Sequence, residues 1–542
     1  MLVAEVVGRV LARLGAGPVF GVVGSGNFHV TNALRAGGAR FYATRHEGGA
    51  ATAADAYARM SGRVAIVSTH QGCGLTNAVT GIGEAAKSRT PLLVLTADTP
   101  ASDPLNNFRI DQDALARSVG AVPERVWSPE TAVSDTVRAY TTALHERRTV
   151  VLNLPLDVQS AQVAEPDQVP QARPPSLPRP GSGDVAALAG LIAAAERPVF
   201  VAGRGARAAA REIRALADAC GALLATSAVA NGLFHDDPWS LGISGGFSSP
   251  LAASLIRDAD LVVGWGCVLN RWTTRQGKLI GPGARLAQID VERGALGAHR
   301  PVDVGVHGDC AATAAAVRTA LGDRMSPGYR SPELRDRIAE RGRWSAADYT
   351  DESTVDRVDP RTLTAELDRI LPAKRVVSVD SGNFMGYPSA YLSVPDEFGF
   401  CFTQAFQSIG LGLATALGAT LAQPGRLGVA ALGDGGFHMA LAELETAVRL
   451  RLPLVVIVYH DAAYGAEVHH FDGDHSTVRF PPTDAAAIAR GFGCTGLTVR
   501  TLADLAGVRD WLEGPRDAPL VIDAKITDDG GSWWLAEAFH GH

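Results

Sequence analysis

Short apolar runs alternate along the chain with Ala- and Leu-rich segments of helical periodicity. Clear examples of the apolar runs are residues 64–69 (VAIVST), 92–98 (LLVLTAD), 427–432 (LGVAAL) and 454–458 (LVVIV). Runs that are apolar throughout are typical of parallel strands buried on both faces of a sheet. Because helical patterns separate these runs, we predict an α/β fold built from doubly wound parallel sheets.

Two stretches break this alternation and are predicted to be linkers. Residues 166–185 are dense in Pro and Gly, and residues 323–360 are rich in Arg, Asp, Glu and Ser. Segments of this composition without periodicity are typical of extended connectors. At 542 residues the chain is too long for a single core. We therefore predict domains over residues 1–165, 186–322 and 361–542.

The first and third of these blocks follow one plan. In the first, Gly62 precedes a strand, a glycine-bearing turn and an Ala-rich helix follow, and Pro91 opens the next strand. In the third, Gly425 precedes the first strand of the same series and Pro453 opens its second strand, so the interval from Gly to Pro is nearly the same in both blocks. The repetition favours a duplicated domain, although convergent strand–helix–strand units could also produce it. The middle block predicts a Rossmann-like unit, in which residues 203–205 (GRG) fit either nucleotide binding or close packing.

Composition narrows the class of protein and its partners. With 46% apolar and 20% charged residues, the chain is predicted to be a well-buried globular enzyme. A net charge of −7 argues against nucleic acid or an acidic membrane surface as a partner. No apolar run reaches the roughly 18 residues of a membrane span, and Glu5 and Arg9 interrupt the N-terminal apolar stretch, so we expect no secretory signal. Six cysteines without a CxxC spacing disfavour zinc and disulfides and indicate a cytoplasmic protein.

Two acidic residues follow predicted strands of the third block. Asp434 lies in the segment 433–437 (GDGGF), and Asp461 lies in 459–465 (YHDAAYG), about 25 residues later. The carboxyl ends of parallel strands form the ligand-binding edge of an open sheet, and glycines there allow close approach to a phosphate. Two oxygen ligands beside a diphosphate suit Mg²⁺. Strand-end turns with helix-capping Asp residues are the alternative. Together, at this spacing, the two segments resemble the GDG…N signature of thiamine diphosphate (ThDP) enzymes.

Glu47 precedes an Ala-rich helix in the segment 45–59 (RHEGGAATAADAYAR). Thr44-x-x-Glu47 fits a capping box, in which the glutamate would bond the N-cap amide. The segment also closely resembles the RHE…YAR segment of acetolactate synthase and related decarboxylases. That resemblance implies that Glu47 hydrogen-bonds N1′ of the aminopyrimidine and so promotes loss of the proton at C2 of the thiazolium.

A further match lies about 25 residues before the GDG segment. Residues 407–412 (QSIGLG) resemble the family's G-S-(I/M/L)-G segment, with an apolar helix start as the alternative. The resemblance implies that Ile409 keeps the cofactor bent and that the carbonyl oxygen of Gln407 accepts from its 4′-amino group. Relatives usually carry Gly in place of Gln407. Upstream, residues 380–383 (DSGN) are similar to the loop that holds the terminal phosphate.

The resemblance also implies a ligand set. Mg²⁺ would be bound by Asp434, by Asp461, where relatives more often carry Asn, and by the main-chain oxygen of Ala463. The residues expected to bind ThDP are Glu47, Gly382, Asn383, Gln407, Ile409, Gly433, Asp434, Gly435, Gly436, Asp461, Ala463 and Tyr464.

Three other residues are candidates for catalysis beside Glu47. Ser25 lies in a loop that the resemblance places against the thiazolium; the GxG around it is a weak dinucleotide signal, because His29 stands where that fingerprint needs Gly. His70 aligns with a loop histidine of benzoylformate decarboxylase-like enzymes and could transfer protons near neutral pH, or could instead cap a helix. Glu467 aligns with the catalytic glutamate of pyruvate decarboxylase-like relatives.

The resemblance covers nearly the whole chain and implies decarboxylation of a 2-oxo acid, with the resulting enamine joined to a second carbonyl compound, as in acetolactate synthase. Relatives usually have Gln in the loop before residues 110–112 (IDQ), where this chain has Asn or Phe, so simple decarboxylation to an aldehyde is the alternative. A NAD(P)-dependent oxidoreductase is a remote alternative, because no GxGxxG follows a strand. FAD is possible but not predicted. The family's active sites form between subunits, which implies a homodimer or homotetramer.

Overall fold

Each of the three blocks contains a six-stranded sheet in which all neighbouring strands are parallel. The computed structural model describes residues 1–164, 168–169, 173, 175–323, 326–528 and 532–536. Its three sheets, each flanked by helices, confirm the predicted α/β fold. None of the helices in the described part of the chain is long and apolar enough to cross a membrane.

The first sheet has the strand order β2-β1-β3-β4-β6-β5. Its strands are β1 (Val19–Gly21), β2 (Phe41–Ala43), β3 (Ala65–Thr69), β4 (Leu92–Asp98), β5 (Val122–Arg125) and β6 (Thr149–Pro155). The helices of this block are α1 (Val3–Arg13), α2 (Phe28–Ala36), α3 (Glu47–Ser61), α4 (Cys73–Lys87), α5 (Gln112–Ser118), α6 (Ala132–His145) and α7 (Leu156–Ser160). The central strands β3 and β4 are buried along their whole length, as expected of apolar runs covered on both faces.

The middle sheet has the order of a Rossmann unit. Its strands are β7 (Pro198–Ala202), β8 (Leu223–Thr226), β9 (Ser240–Ile243), β10 (Leu261–Trp265), β11 (Arg285–Asp290) and β12 (Val304–His307), and its helices are α8 (Ser182–Ala194), α9 (Ala210–Cys220), α10 (Pro250–Arg257) and α11 (Cys310–Leu321). From one edge to the other they run β9-β8-β7-β10-β11-β12, which is the 3-2-1-4-5-6 order of dinucleotide-binding folds.

The glycines of the GRG segment serve close packing. A Cβ on Gly203 would lie 2.2 Å from the carbonyl oxygen of Gly266, and one on Gly205 would lie 2.9 Å from the Cα of Gly266. The loops after β7 and β10 therefore approach each other closely only because neither residue has a side chain. The side chain of Arg204 reaches out of this loop and donates a hydrogen bond to the carbonyl oxygen of Ser88 in the first block.

The segments predicted to be linkers differ from each other. Residues 166–167, 170–172 and 174 of the first and residues 324–325 of the second lie outside the described part of the chain. Residues 182–185, at the end of the first predicted linker, instead form the start of α8. The second segment, 323–360, contains a ten-residue helix, α12 (Pro332–Arg341). Its two buried residues, Leu334 and Ile338, pack against the middle domain.

The third sheet repeats the order of the first, as β14-β13-β15-β16-β18-β17. Its strands are β13 (Arg375–Val379), β14 (Phe400–Phe402), β15 (Leu427–Gly433), β16 (Leu454–His460), β17 (Thr495–Val499) and β18 (Leu520–Lys525). Its helices are α13 (Pro360–Ile370), α14 (Gly386–Tyr391), α15 (Gly412–Ala422), α16 (Asp434–Ala440), α17 (Glu443–Arg449), α18 (Gly465–His470), α19 (Ala485–Gly491), α20 (Ala506–Glu513) and α21 (Trp533–Ala536). The shared order confirms that the first and third blocks are related.

The first and third domains pack against each other through helices rich in Ala and Gly. One core contains residues of α3 and α4 together with residues of α15 and α17. A Cβ on Gly418 would lie only 2.0 Å from the carbonyl oxygen of Ala53, so α15 and α3 are nearly in backbone contact. Small residues at these positions are what allow two helices to approach so closely.

The contact between α3 and α15 leads to a prediction about stability. We expect Gly418→Ala to destabilise the protein by about 1–3 kcal/mol, because the added methyl group overlaps the backbone of α3. Gly190→Ala in α8 is a matched control, since a Cβ there meets no atom within 4 Å and alanine is the better helix former. Calorimetric melting of the cofactor-free protein should show a lower transition temperature only for the first variant. An unchanged transition in Gly418→Ala would contradict the close packing.

Candidate active site

The carboxyl ends of β15 and β16 bring the two acidic residues together. Gly433 on β15 pairs with Tyr459 on β16, so Asp434 and Asp461 both lie just beyond the paired residues. Asp434 is also the first residue of α16. The two carboxyl groups are close enough for Asp461 to raise the pKa of Asp434. The structure therefore places Asp434 and Asp461 beyond the carboxyl ends of two neighbouring strands, as the two motifs predicted.

The carboxyl group of Asp434 is buried and only partly hydrogen-bonded. Asp434 is only 6% exposed, and its Oδ1 atom has no hydrogen-bond partner among the described residues. Burial and the neighbouring Asp461 raise the pKa of Asp434 to about 8, and burial raises the pKa of Asp461 as well. An orphaned buried carboxylate oxygen beside a second carboxyl group is a donor set that fits a divalent cation.

A buried network lies on the other side of Asp434. His460 Nε2 is 3.9 Å from an Asp434 carboxylate oxygen, and the other ring nitrogen of His460 contacts Asp523 at 2.8 Å and Lys525 at 2.8 Å. Lys525 and Asp523 also form an ion pair of 2.9 Å. The sequence reasoning missed this network; the only local signal was His460, which directly precedes Asp461.

The turn after Asp461 leaves one main-chain oxygen without a backbone donor. Ala462 has a φ of 60°, in the left-handed region that is unfavourable for residues other than glycine. Asp461 accepts a hydrogen bond of 3.2 Å from the amide of Ala463. Among the described residues no backbone amide donates to the carbonyl oxygen of Ala463. That oxygen is therefore available as the third ligand that the resemblance implies.

The loop expected to hold the terminal phosphate lies beside this pair. Gly382 has a φ of 143°, and Asn383 accepts a hydrogen bond of 2.7 Å from the hydroxyl of Ser532. Gly435 packs against the ring of Tyr464, where a Cβ would lie 2.5 Å from a ring carbon. These glycines line a cavity and leave its wall without side chains, which is the kind of concave surface that fits a phosphate group.

Asp380 is a further residue of this region whose role sequence reasoning did not assign. It is fully buried and accepts hydrogen bonds from the amides of Gly410 and Leu411. Burial raises its pKa to about 6. Because these amides belong to the segment that follows Ile409, Asp380 fixes the position of that segment against the sheet. The signal for it was the location of Asp380 at the end of a predicted strand.

One cavity of about 1200 Å³ joins these loops to the middle domain. The predicted cofactor and metal residues that line it are Gly382, Asn383, Gln407, Ile409, Gly433, Asp434, Gly435, Gly436, Asp461, Ala463 and Tyr464. Glu467, a predicted catalytic residue on α18, is exposed and also lines it. Gln407 has a φ of 60°. Its backbone therefore adopts the left-handed conformation that the Gly of relatives takes without strain.

Glu47 lies in a second cluster, on the first domain. The capping box considered from the sequence is not formed: His46 is the N-cap residue of α3, and its side chain accepts from the amide of Gly48. Glu47 instead accepts a hydrogen bond of 3.0 Å from the side-chain amide of Asn77. The carboxyl group of Glu47 therefore does not cap α3.

Ser25 and His70 meet in the same cluster. His70 Nδ1 contacts the carbonyl oxygen of Gln71 at 3.0 Å, so this nitrogen carries the proton. Its other nitrogen then accepts from the Ser25 hydroxyl at 3.3 Å. The ring of Phe108 packs against His70 with 4.9 Å between centroids. His70 does not cap α4, whose N-cap residue is Gly72.

The two clusters do not share a cavity within one chain. Neither Glu47 nor Ser25 nor His70 is among the residues that line the cavity around Asp434. The structure thus brings the predicted metal and diphosphate residues together, and separately brings together three of the predicted catalytic residues.

Comparisons with known proteins identify the family of the chain. The family models for the N-terminal TPP binding domain, the central domain and the C-terminal TPP binding domain of thiamine pyrophosphate enzymes match residues 1–115, 185–317 and 380–524. The chain is 28% identical to the sulfoacetaldehyde acetyltransferase of Alcaligenes xylosoxydans xylosoxydans, covering 91% of this chain and 87% of that protein. It is 31% identical to the probable 2-ketoarginine decarboxylase AruI of Pseudomonas aeruginosa, covering 90% and 87%. It is 25% identical to the acetolactate synthase of Mycobacterium bovis, covering 99% and 90%.

The raised pKa of Asp434 predicts how pH affects cation binding. Because its pKa is about 8 in the folded chain and 3.8 in the reference state, the folded metal-free protein holds a proton that the unfolded chain releases, and its stability falls as pH rises through that window. Mg²⁺ must displace this proton. We therefore expect the increase in melting temperature caused by Mg²⁺ with ThDP to be larger at about pH 8 than at about pH 6.

Asp461→Asn is the control for this prediction. It removes the like charge beside Asp434 and should lower the pKa of that residue, so that the effect of Mg²⁺ depends less on pH. A wild-type melting temperature that Mg²⁺ raises equally at both pH values would contradict the coupled pair.

Proposed function

The chain belongs to the thiamine pyrophosphate enzyme family, and from that premise we propose that it is a ThDP- and Mg²⁺-dependent enzyme that decarboxylates a 2-oxo acid and joins the product to a second carbonyl compound. The observation that carries the proposal is the buried pair Asp434 and Asp461 at the carboxyl edge of the third sheet, in which the Oδ1 atom of Asp434 has no hydrogen-bond partner among the described residues. Such a pair of carboxyl groups fits a divalent cation. The names of relatives include both a decarboxylase and an acetolactate synthase, which are consistent with these two steps.

The residues of the third domain would hold the cofactor. Asp434, Asp461 and the carbonyl oxygen of Ala463 would bind Mg²⁺, and the loop at Gly382 and Asn383 would receive the terminal phosphate. When bound, ThDP supplies a nucleophilic carbon and an electron sink for cleavage of the bond beside a carbonyl group. The protein's own task is to bind and orient the cofactor and to exclude water from the cavity.

Glu47 would hold the proton that the aminopyrimidine ring needs. Its carboxyl group is oriented by the 3.0 Å hydrogen bond from Asn77, and a carboxyl beside a ring nitrogen can share a proton with it. The separation of Glu47 from Asp434 within one chain supports active sites built between two chains. We accordingly infer a homodimer or homotetramer in which Glu47 acts on the cofactor held by a partner subunit.

Simple decarboxylation to an aldehyde is the second candidate, and the contact between Ser25 and His70 favours it. If His70 first takes up a proton from solvent on the nitrogen that faces Ser25, it can donate that proton to a carbon atom, directly or through the Ser25 hydroxyl, and return to the neutral form. Such a relay would end the reaction at the aldehyde before a second carbonyl compound is joined.

Glu47→Gln tests the proposed function. The variant should still bind ThDP, because the residues of the third domain are unchanged, but the exchange of the C2 proton should fall by at least about 100-fold. Proton exchange is measured by NMR, and CO₂ release and products are measured by mass spectrometry with a panel of 2-oxo acids. Unchanged exchange would remove Glu47 from this role. If the wild-type protein exchanges the C2 proton normally but releases no CO₂ from any 2-oxo acid of the panel, the proposed substrate class is refuted instead.

His70→Ala distinguishes the two candidate reactions. If the histidine delivers the final proton, aldehyde release should fall by about 100-fold while the yield of joined product falls less. His235→Ala, in the middle domain, is the control and should leave the product ratio as in the wild type. Equal loss of both products in His70→Ala would show that the histidine does not decide between them.

A further inference from the structure

The segment that carries Glu47 is fixed by the third domain, not by its own. Residues 43–46 connect β2 to α3 in the first domain, and α17 of the third domain lies against them. Glu443, the first residue of α17, is 3% exposed and accepts hydrogen bonds from the backbone amides of Arg45 at 3.1 Å and His46 at 3.0 Å. Its other oxygen accepts from the Thr446 hydroxyl at 2.7 Å.

The fit around this carboxylate is tight. A Cβ on Gly49 would lie 2.4 Å from Glu443 Oε1, so only glycine leaves room for the carboxylate at that turn of α3. Two more residues of α17 bind the same segment. Glu445 pairs with the Arg45 side chain at 2.7 Å, and Arg449 donates to the carbonyl oxygen of Ala43 at 2.5 Å. The residue before Glu47 is thereby held at its backbone, which has no freedom to shift independently of α17.

The reciprocal contact is present on the other side of the interface. Glu84 on α4 of the first domain is fully buried and accepts hydrogen bonds from the amides of Ala405 at 3.1 Å and Phe406 at 2.6 Å. These amides belong to the segment that connects β14 to α15. Strands β2 and β14 occupy equivalent edge positions in the two related sheets. Each of the two domains therefore contributes one buried carboxylate that accepts hydrogen bonds from two successive amides of the other domain. We call each of these contacts a carboxylate clamp.

The two clamped segments have one property in common. Each ends at a group that the family resemblance places against the aminopyrimidine: Glu47 follows His46 directly, and Gln407 follows Phe406 directly. Carboxylates are strong acceptors for backbone amides. A buried carboxylate that receives two successive amides restrains the backbone of both residues, and so restrains the residue that comes next.

We propose that Glu443 is a positioning residue for Glu47. By binding the amides of Arg45 and His46 across the domain interface, Glu443 fixes the position and orientation of the Glu47 backbone. This inference rests on the role proposed for Glu47. It needs no direct contact of Glu443 with substrate or cofactor, and it assigns the third domain a second task besides binding the diphosphate.

The test compares Glu443→Ala, Glu443→Gln and the control Glu445→Ala. In the cofactor-free protein, Glu443→Ala should increase deuterium uptake by the peptide that covers residues 43–49, because two amides lose their acceptor. Glu445→Ala should leave that uptake as in the wild type, since Glu445 pairs with the side chains of Arg45 and Arg449 and accepts from no backbone amide of that peptide among the described contacts.

Function is then measured with ThDP and Mg²⁺. Glu443→Ala should lower the rate of C2 proton exchange by about 100-fold, which is typical of a misplacement of about 1 Å. ThDP affinity should stay within about threefold of the wild type, because the diphosphate residues are distant from the change. Glu443→Gln should restore exchange, since its amide oxygen can accept from both amides.

Each outcome decides the proposal. Wild-type proton exchange in Glu443→Ala would overturn it, and so would a Glu443→Gln variant as slow as Glu443→Ala, because the charge and not the acceptor would then matter. If Glu443→Ala does not fold, Glu443→Asp, which is one methylene shorter, takes its place in both measurements with the same expected results. Normal exchange in Glu47→Gln would refute the role of Glu47 itself, whereas the deuterium uptake of 43–49 would still report on the clamp.

Discussion

Two buried carboxyl groups, Asp434 and Asp461, lie side by side where two parallel strands end, and the site is arranged around their charge. Neither group can ionise freely while the other is ionised, which is why burial and Asp461 together raise the pKa of Asp434 to about 8. His460, with Nε2 3.9 Å from Asp434, occupies the side toward the sheet. Asp434 and Asp461 both line the cavity, and Oδ1 of Asp434 has no hydrogen-bond partner among the described residues. The glycines of the neighbouring loops line the same cavity, so a cation bound by this pair would lie beside the place where those loops leave room for a phosphate.

The relation between the first and third domains explains how the loops that carry Glu47 and Gln407 are held in place. Both related sheets end in loops at the same edge, and their helices α3 and α15 are almost in backbone contact at Gly418 and Ala53. A shift of one domain relative to the other would break this contact and both carboxylate clamps, at Glu443 and at Glu84. The interface between the two domains is thus the part of the molecule that fixes the loops on which Glu47 and Gln407 lie.

Features that depend on neighbouring residues were predictable from the sequence. The apolar runs predicted the buried strands, and the punctuation by Gly62 and Gly425 predicted a duplication that the equal strand orders confirm. The position of Asp434 and Asp461 followed from strand ends alone. Contacts between distant segments left no such signal. Glu443 binds amides almost 400 positions away, and the acidic residues of an exposed helix look no different in sequence. The helix α12 within residues 323–360 was likewise hidden, because only two of its residues are buried.

Gln407 combines a left-handed backbone with a full side chain on the wall of the cavity. The backbone there has a φ of 60°, a conformation that costs a residue with a Cβ about 1–2 kcal/mol and costs glycine nothing. A chain that needed only the carbonyl oxygen at this position would be more stable with glycine. The glutamine side chain is exposed and lines the cavity beside Ile409. Strain that persists on a cavity wall is typical of positions where the side chain is used, and here it places the amide of Gln407 in the cavity that Asp434 and Asp461 also line.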